Sequence, residues 1–291
     1  MSYRIPHALR VFASIGISVA CLSFGRIGAA EPTDGPSRNP YKAATDRVAR
    51  ESAIRSVPFE RLDENARSKI SAILNRESVF RRLPTQVVPC DPEMYSFTVR
   101  HPDVVVNLWR ILGISKITLK QTGPNTFSYR DGEGTTGTIE YLYENHDTHI
   151  AYTTCIYEGP LWPNPITYSG VLILKSAFVR ETNGQYYVTT RLDTFSSIAP
   201  GGLALLTKTF MPWFGKVADT NFSQTAAFVG GLSSTARQNP DSLRRVSYKL
   251  THISEETRRE FADLATKVAS KAQAETAAGP QPIRQISWNG E

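Results

Sequence analysis

The segment GTIEYLYENHDTHIAYTTCIY, residues 137–157, decides the fold class of this chain. Apolar and polar side chains alternate on both sides of a short polar segment at 145–147. This pattern is typical of two antiparallel strands joined by a hairpin, in which every second side chain lies on the same face. The alternation predicts two sets of residues that each share a face: Ile139, Tyr141 and Tyr143, and Ile150, Tyr152 and Ile156.

The alternation continues outward along the chain in both directions. Short turns rich in Gly, Asn and Asp separate most of the runs, as antiparallel hairpins require. A further strand should place Leu172, Leu174 and Phe178 on one face. The longer loop before it contains Trp162 among three prolines. The predicted strands cover about residues 95–99, 115–121, 126–130, 137–143, 149–157, 171–180 and 185–195.

Helical spacing of apolar residues is found on both sides of this β-rich region. Helices are predicted at about 41–56 and 63–76, and a third that ends at Gly113. After the Pro200-Gly201-Gly202 segment, apolar residues three and four apart predict a long helix. A short strand or irregular segment at 245–250 and a charged helix at about 254–272 follow.

The order of these elements predicts an α+β fold, because a curved antiparallel sheet must bury one face and the long helix is large enough to cover it. In this order, and in the Pro200-Gly201-Gly202 entry to the long helix, residues of about 95–237 resemble the helix-grip family, the START and Bet v 1-like (SRPBCC) domains. The resemblance implies a curved sheet wrapped around a long C-terminal helix. It also implies a cavity that holds lipids, sterols or other apolar molecules.

The predicted organisation has six parts. They are a signal peptide at 1–30, a linker at 31–40, an N-terminal helical segment at 41–89, a helix-grip-like domain at 90–240, a C-terminal strand and helix extension at 241–274, and a disordered tail at 275–291. The additional N- and C-terminal helices are not part of the helix-grip pattern.

Aromatic side chains with polar ends suit a ligand cavity, because the ring supplies apolar wall and the hydroxyl meets a polar group of the ligand. Arg191 shares a strand face with Asp193; its guanidinium either orients a ligand headgroup or forms a solvent-exposed ion pair. A filled sheet-on-helix core would show the same alternation as a cavity. The predicted ligand-binding residues are Trp109, Tyr141, Tyr143, Tyr152, Trp162, Leu174, Phe178, Arg191, Phe210, Trp213, Phe214 and Val217.

The first thirty residues predict export. Arg4 and Arg10 precede an uncharged run at 11–25, and small residues follow up to Ala30, which is the order of a secretory signal peptide. The run is shorter than the roughly 20 residues that span a bilayer. We therefore predict cleavage after Ala30, a periplasmic or secreted protein and no stable transmembrane insertion. The alternatives are an uncleaved anchor and lipid attachment at Cys21.

Cleavage would leave two cysteines, Cys90 and Cys155. In an oxidising compartment, two cysteines predict one disulfide. The alternative interpretation is that Cys155 is a small buried hydrophobe and that Cys90 is a loop thiol.

The composition argues against several classes of partner. Cleavage at Ala30 removes three arginines and no acidic residue, so the formal charge falls from +6 to +3. This weakens a nucleic-acid interpretation, which needs a strongly basic domain. The group His146, Asp147 and His149 is the nearest approach to a metal site, but it has no further ligand to complete a coordination shell. No metal, cofactor or nucleic acid is therefore predicted.

No motif of a known catalytic class is present. The sequence contains neither a Gly-x-Ser-x-Gly elbow, nor a His-Glu-x-x-His helix, nor a phosphate-binding glycine loop. The favoured hypothesis is an exported noncatalytic protein that binds an apolar small molecule or lipid. The alternative is an envelope structural or interaction protein with a filled core and partner-binding flanking helices. An enzyme built in such a cavity is a third, weaker hypothesis.

Overall fold

The computed structural model describes residues 39–75, 79–159, 164–182, 184–198 and 211–278, except the side chains at 198, 211–214 and 276–278. The predicted signal peptide, most of the predicted linker and most of the predicted tail lie outside these residues. Within them the fold is α+β, with an open antiparallel sheet of eight strands and seven α-helices, which confirms the predicted class.

The helices and strands are numbered here in chain order. The helices are α1 (Arg47–Arg55), α2 (Glu64–Leu74), α3 (Pro92–Arg100), α4 (Pro102–Ile111), α5 (Met211–Gln238), α6 (Pro240–Ser247) and α7 (Glu255–Ala278). The strands are β1 (Val79–Arg82), β2 (Gln86–Pro89), β3 (Thr118–Gly123), β4 (Thr126–Arg130), β5 (Thr135–Glu144), β6 (Thr148–Tyr157), β7 (Ile166–Arg180) and β8 (Tyr186–Ile198).

The sheet runs in the order β1-β8-β7-β6-β5-β4-β3, and every pair is antiparallel. Strand β2 also pairs with β8: β2 pairs with residues 187–190 of β8, and β1 pairs with residues 193–196. The six strands predicted from residue 115 onward are confirmed to within a few residues. Strands β1 and β2 lie in the segment predicted as helical, and at four residues each, separated by Pro84, they are too short to show a period.

The predicted strand at 95–99 is wrong, because this segment forms α3. The Asp91 side chain accepts hydrogen bonds from the backbone N–H groups of Glu93, at 2.9 Å, and Met94, at 3.2 Å. Pro92 occupies the first turn, where a missing N–H costs nothing. A capped start of this kind favours a helix over the strand that the short alternating pattern predicts.

Each face of the sheet is covered by its own helices. We call the face that carries His149, Ala151, Leu172 and Leu174 the inner face, and the opposite one the outer face. On the outer face, helices α1 and α2 share one buried cluster with strand residues. Helices α3, α4 and α5 lie opposite the inner face. The outer-face strand residues buried in that cluster are Phe80, Ile150, Val171, Ile173 and Phe195.

Because β5 contains a β-bulge, the prediction that Tyr141 and Tyr143 share a face is wrong. Tyr141 pairs with Ala151 and Tyr143 pairs with Ile150, so one extra residue lies between them on β5. Because one inserted residue reverses the alternation, Tyr141 and Tyr143 lie on opposite faces. Tyr141 lies on the inner face, and Tyr143 packs with α1 and α2 on the outer face.

The C-terminal helices belong to the main core. Of the two alternatives predicted for 245–250, the strand is wrong: α6 continues to Ser247, and an irregular turn follows it. The Asn239 side chain accepts a hydrogen bond from Ser242 N at 3.2 Å, and Pro240 begins α6. Helix α7 reaches Ala278, beyond the predicted end. The Phe261 ring of α7 stacks on the Phe97 ring of α3, with centroids 5.6 Å apart. Helices α6 and α7 therefore share one buried cluster with α3 and α5.

Candidate functional site

A cavity of about 600 Å³ lies between the inner face of the sheet and helices α3, α4 and α5. Most of its wall is apolar. Helix α5 contributes one side, and strands β3, β5, β6, β7 and β8 contribute the other. The apolar side chains that form the wall include Val105, Trp109, Leu119, Ile139, Ala151, Leu172, Leu174, Leu192, Phe222 and Phe228.

None of the described residues that line this cavity is Asp, Glu, Lys or Arg. Several of its polar side chains already have partners within the protein. The Tyr141 hydroxyl donates to the Val99 carbonyl at 2.6 Å, and the Tyr95 hydroxyl donates to Thr190 Oγ1 at 2.9 Å. The expectation that the Tyr141 hydroxyl meets a ligand is therefore not supported, because this donor is used to anchor β5 to α3.

Two polar atoms of the lining are buried and have no hydrogen-bond partner among the described residues: His149 Nδ1 and Asn221 Nδ2. Buried polar groups in native proteins nearly always have a partner, and leaving one unsatisfied costs about 1–3 kcal/mol. Both atoms belong to residues that line the same cavity. They are therefore the positions at which a bound molecule could gain a hydrogen bond.

Burial lowers the pKa of His149 to about 4, with a smaller contribution from the positive charge of Arg100; Asp147 acts in the opposite direction. The side chain is only 6% exposed. The imidazole is therefore neutral at neutral pH, and the cavity has no titratable charge from this residue.

The depressed pKa of His149 makes stability depend on pH. Because the folded-state pKa of about 4 lies below the ordinary value of 6.5, the unfolded chain binds this proton more readily. The free energy of unfolding therefore has its full value above pH 6.5 and decreases as pH falls from 6.5 toward 4. Between pH 6.5 and pH 4, urea unfolding should show that the free energy of unfolding of the wild-type chain falls by up to about 3 kcal/mol more than that of a His149→Phe variant. Equal acid dependence of the two chains would contradict this prediction.

Three of the predicted ligand-binding residues line the cavity: Trp109, Tyr141 and Leu174. The Trp109 ring also contacts the Phe228 ring of α5 edge to face, with centroids 5.9 Å apart. These positions were predicted from helical spacing on α4 and from alternation on β5 and β7. The structure brings them together around one space.

Three aromatic residues predicted to bind a ligand lie elsewhere. Tyr143 and Tyr152 pack on the outer face with α1 and α2, where Lys69 Nζ is 5.8 Å from the centre of the Tyr152 ring. Phe178 is on the inner face but belongs to the packed core, with its ring 5.8 Å from that of Tyr95. Alternation assigns a strand residue to a face, but it does not show which helix covers that face.

Val217 packs with Leu83 and Ala218 in a small buried cluster and does not line the cavity. Trp162 and Phe210 lie outside the described residues. The backbone of Trp213 and Phe214 begins α5, but their side chains lie outside the described part of the chain.

Arg191 lies on the outer face, because its neighbour Leu192 lines the cavity. It does approach Asp193, with Nε 3.5 Å from Oδ2, but this is not the exposed pair of the alternative interpretation. Asp193 is fully buried, and its principal partner is Arg82, which donates from Nε and Nη2 at 2.6 and 2.9 Å. The carboxylate connects β8 to β1 instead of orienting a ligand.

The structure does not join Cys90 and Cys155 in the predicted disulfide: both are buried, and they lie in separate hydrophobic clusters. Burial raises the pKa of the Cys90 thiol to about 12. Cys155 lies in the middle of β6, paired with Gly137 of β5, while Cys90 packs among residues of β2 and the C-terminal helices.

Sequence reasoning missed most of the lining, including the two unpartnered polar residues. The sequence placed His149 in the nearest approach to a metal site, although its alternation with Ala151 and Thr153 predicts that all three lie on one face. Asn221 follows the helical spacing of α5, but a polar residue in an apolar stripe gives no signal of its own. Among the described residues, no group of three His, Cys, Asp or Glu side chains is placed to hold a metal ion.

A second concavity, of about 880 Å³, lies on the outer face beside α4. Exposed basic side chains from Arg110, Lys120 and Arg130 line it together with threonines. It lacks the buried apolar wall that small-molecule sites have. The cavity on the inner face is therefore the stronger candidate site.

The fold and the cavity together define an α+β protein with an apolar cavity between sheet and helices, and no charged residue is among its described lining. No helix of the described ranges combines the length and the apolarity needed to cross a bilayer. No family model matches the sequence, and no curated protein matches it. Among solved structures it is similar to a conserved protein from Geobacillus kaustophilus, at 13% identity over 51% of this chain and 93% of that chain, with a TM-score of 0.36. A likeness at this level supports no argument about function.

Proposed function

We propose that this protein is an exported, noncatalytic binding protein that holds an apolar small molecule or lipid between its sheet and α5, in a helix-grip arrangement. The observation that carries the proposal is the cavity of about 600 Å³ with an apolar, uncharged wall. Its volume lies within the range of about 300 to 1,000 Å³ typical of ligand pockets. The order of charged, apolar and small residues within the first thirty supports export.

A filled core is less consistent with this geometry. Native interiors are packed as densely as organic crystals and contain few voids larger than a water molecule. A space of this size, lined by side chains such as Leu172, Leu174 and Phe222, would sacrifice many dispersion contacts if nothing occupied it. An apolar ligand would restore those contacts.

The alternative of an envelope interaction protein gains no specific support. Helices α1 and α2 bury their apolar residues against the outer face of the sheet, and α7 buries its own against α3 and α5. The flanking helices therefore use their apolar faces inside the protein. We do not propose them as partner-binding surfaces.

Bound material can be sought directly. Native mass spectrometry of the purified protein, before and after organic extraction, should show a mass loss that matches an extracted apolar compound. Protein of unchanged mass that also fails to bind any added apolar dye would contradict the proposal.

A substitution that fills the cavity should abolish binding. Ala151 lies on the inner face and lines the cavity, so the ring of an Ala151→Trp variant would occupy the ligand's space. We expect at least a tenfold loss of affinity for a neutral apolar dye, with a stability loss within the roughly 1–3 kcal/mol of an overpacked site. Fluorescence titration and urea unfolding measure the two effects.

Ile156→Trp is the matched control for Ala151→Trp. Ile156 is on the same strand but on the outer face, and it is exposed. This variant should bind the dye as the wild-type chain does. Equal binding by both variants would show that the dye does not enter the cavity.

A further inference from the structure

The wall of the cavity discriminates against charge. The residues that line it, within the described ranges, include no carboxylate, ammonium or guanidinium group. Transfer of an ionised group into such a site is costly unless a paired charge or several hydrogen bonds compensate it. A ligand with an ionised end buried in this cavity would find no opposite charge among the described residues of the wall.

The same wall offers hydrogen bonds to an uncharged polar group. His149 is 6% exposed, and its Nδ1 has no partner. The neutral imidazole can present Nδ1 as an acceptor or, in the other tautomer, as a donor. Asn221 Nδ2, also buried and without a partner, is a donor. A hydroxyl group can donate its O–H to an accepting Nδ1 or accept from an N–H, whereas a carbonyl oxygen can only accept from an N–H.

We propose that the ligand is an uncharged, largely apolar molecule whose polar end is a hydroxyl or carbonyl oxygen, hydrogen-bonded to His149 Nδ1 or Asn221 Nδ2, and that the ionised analogue of the same hydrocarbon is excluded. This inference rests on the proposed function, because it specifies the chemistry of the molecule in that cavity. It follows from two independent features of the lining: the lack of charged side chains and the pair of unsatisfied polar atoms.

Competition against a neutral fluorescent dye, N-phenylnaphthylamine, tests the ligand class with the full-length mature chain. The competitors are a long-chain primary alcohol, the methyl ester and the carboxylate of equal carbon number, and the parent alkane, at about pH 8, where the carboxylate is ionised. The alcohol and the ester should displace the dye at concentrations at least about 30-fold lower than the carboxylate requires. A carboxylate that competes as well as the alcohol would overturn the inference.

The ratio of alcohol to alkane affinity tests the two polar atoms and is insensitive to hydrocarbon solubility. In Asn221→Leu or His149→Leu, the alcohol should bind up to about tenfold more weakly while the alkane binds equally well or better, because one hydrogen bond is lost and apolar wall is gained. His146→Leu is the control, since this histidine contacts Phe178 and does not line the cavity. Its ratio should not change.

The outcomes separate this inference from the proposed function. An unchanged alcohol-to-alkane ratio in both Leu variants overturns the assignment of the polar atoms, even though the chain still binds apolar molecules. If the wild-type chain binds neither the dye nor any competitor, the proposed function is wrong and the ligand class is wrong with it.

Discussion

Replacement of Asp193 by Ala should lower the free energy of unfolding by about 3 to 5 kcal/mol. Asp193 is fully buried and accepts two hydrogen bonds from Arg82, and Arg191 Nε lies 3.5 Å away. Its removal leaves the Arg82 guanidinium, only 17% exposed, without its counter-charge. Because Arg82 also donates to the Ala49 carbonyl at 3.3 Å, the change affects the packing of α1, β1 and β8 together.

Urea unfolding measures this effect, and two further variants define its cause. Glu51→Ala removes an exposed partner of Arg47 and should cost less than about 1 kcal/mol. The double variant Arg82→Met with Asp193→Leu removes the two most buried charges and should recover part of the loss, since only Arg191, whose side chain is 33% exposed, is then left without Asp193. A loss below about 1 kcal/mol for Asp193→Ala would show that the buried pair does not stabilise this part of the fold.

Phe261→Ala should cost about 3 to 5 kcal/mol, the usual range for a core phenylalanine truncated to alanine. The Phe261 ring is fully buried and stacks on Phe97, which itself lies 4.7 Å from the ring of His101. The substitution would open a void where α7 packs against α3. Thermal and urea unfolding should both show one cooperative transition at lower stability, because α7 shares a core with the sheet.

Tyr248→Ala is the control for the effect of Phe261→Ala. Tyr248 also follows the long helix but is 78% exposed, so its loss should change stability by no more than about 0.5 kcal/mol. Two separate transitions in the wild-type chain, with Phe261→Ala affecting only one of them, would instead mean that the C-terminal helices fold independently of the sheet.

The strands from β3 to β8 were predictable because their signal is local. Alternation with a period of two and polar turns between the runs are properties of neighbouring residues, and tertiary contacts did not reverse them. The predicted strand at 95–99 was wrong because a second local signal, for a helix start, competes with the alternation there. The N-cap residue Asp91 and Pro92 after it favour a helix more strongly than five alternating residues favour a strand.

The cavity was only partly predictable. The spacing on α4, β5 and β7 identified Trp109, Tyr141 and Leu174, which do line it. The same reasoning failed for Tyr143, because a bulge in β5 is created by pairing with β6 and leaves no clear trace in the alternation. It failed for Arg191, which does share a face with Asp193 but on the outer side of the sheet, because alternation does not show which face the cavity occupies.

The sequence by itself determined the α+β class, the order of six strands and the position of the long helix, because these depend on periodicity and turn residues within short windows. Only the tertiary structure decided which face α1 and α2 cover, where the C-terminal helices pack and which polar atoms are left unsatisfied in the cavity. Each of these depends on contacts between residues far apart in the chain, such as Arg82 with Asp193 and Phe97 with Phe261. Local patterns carry no information about such pairs, since their energies are realised only when the whole chain has packed.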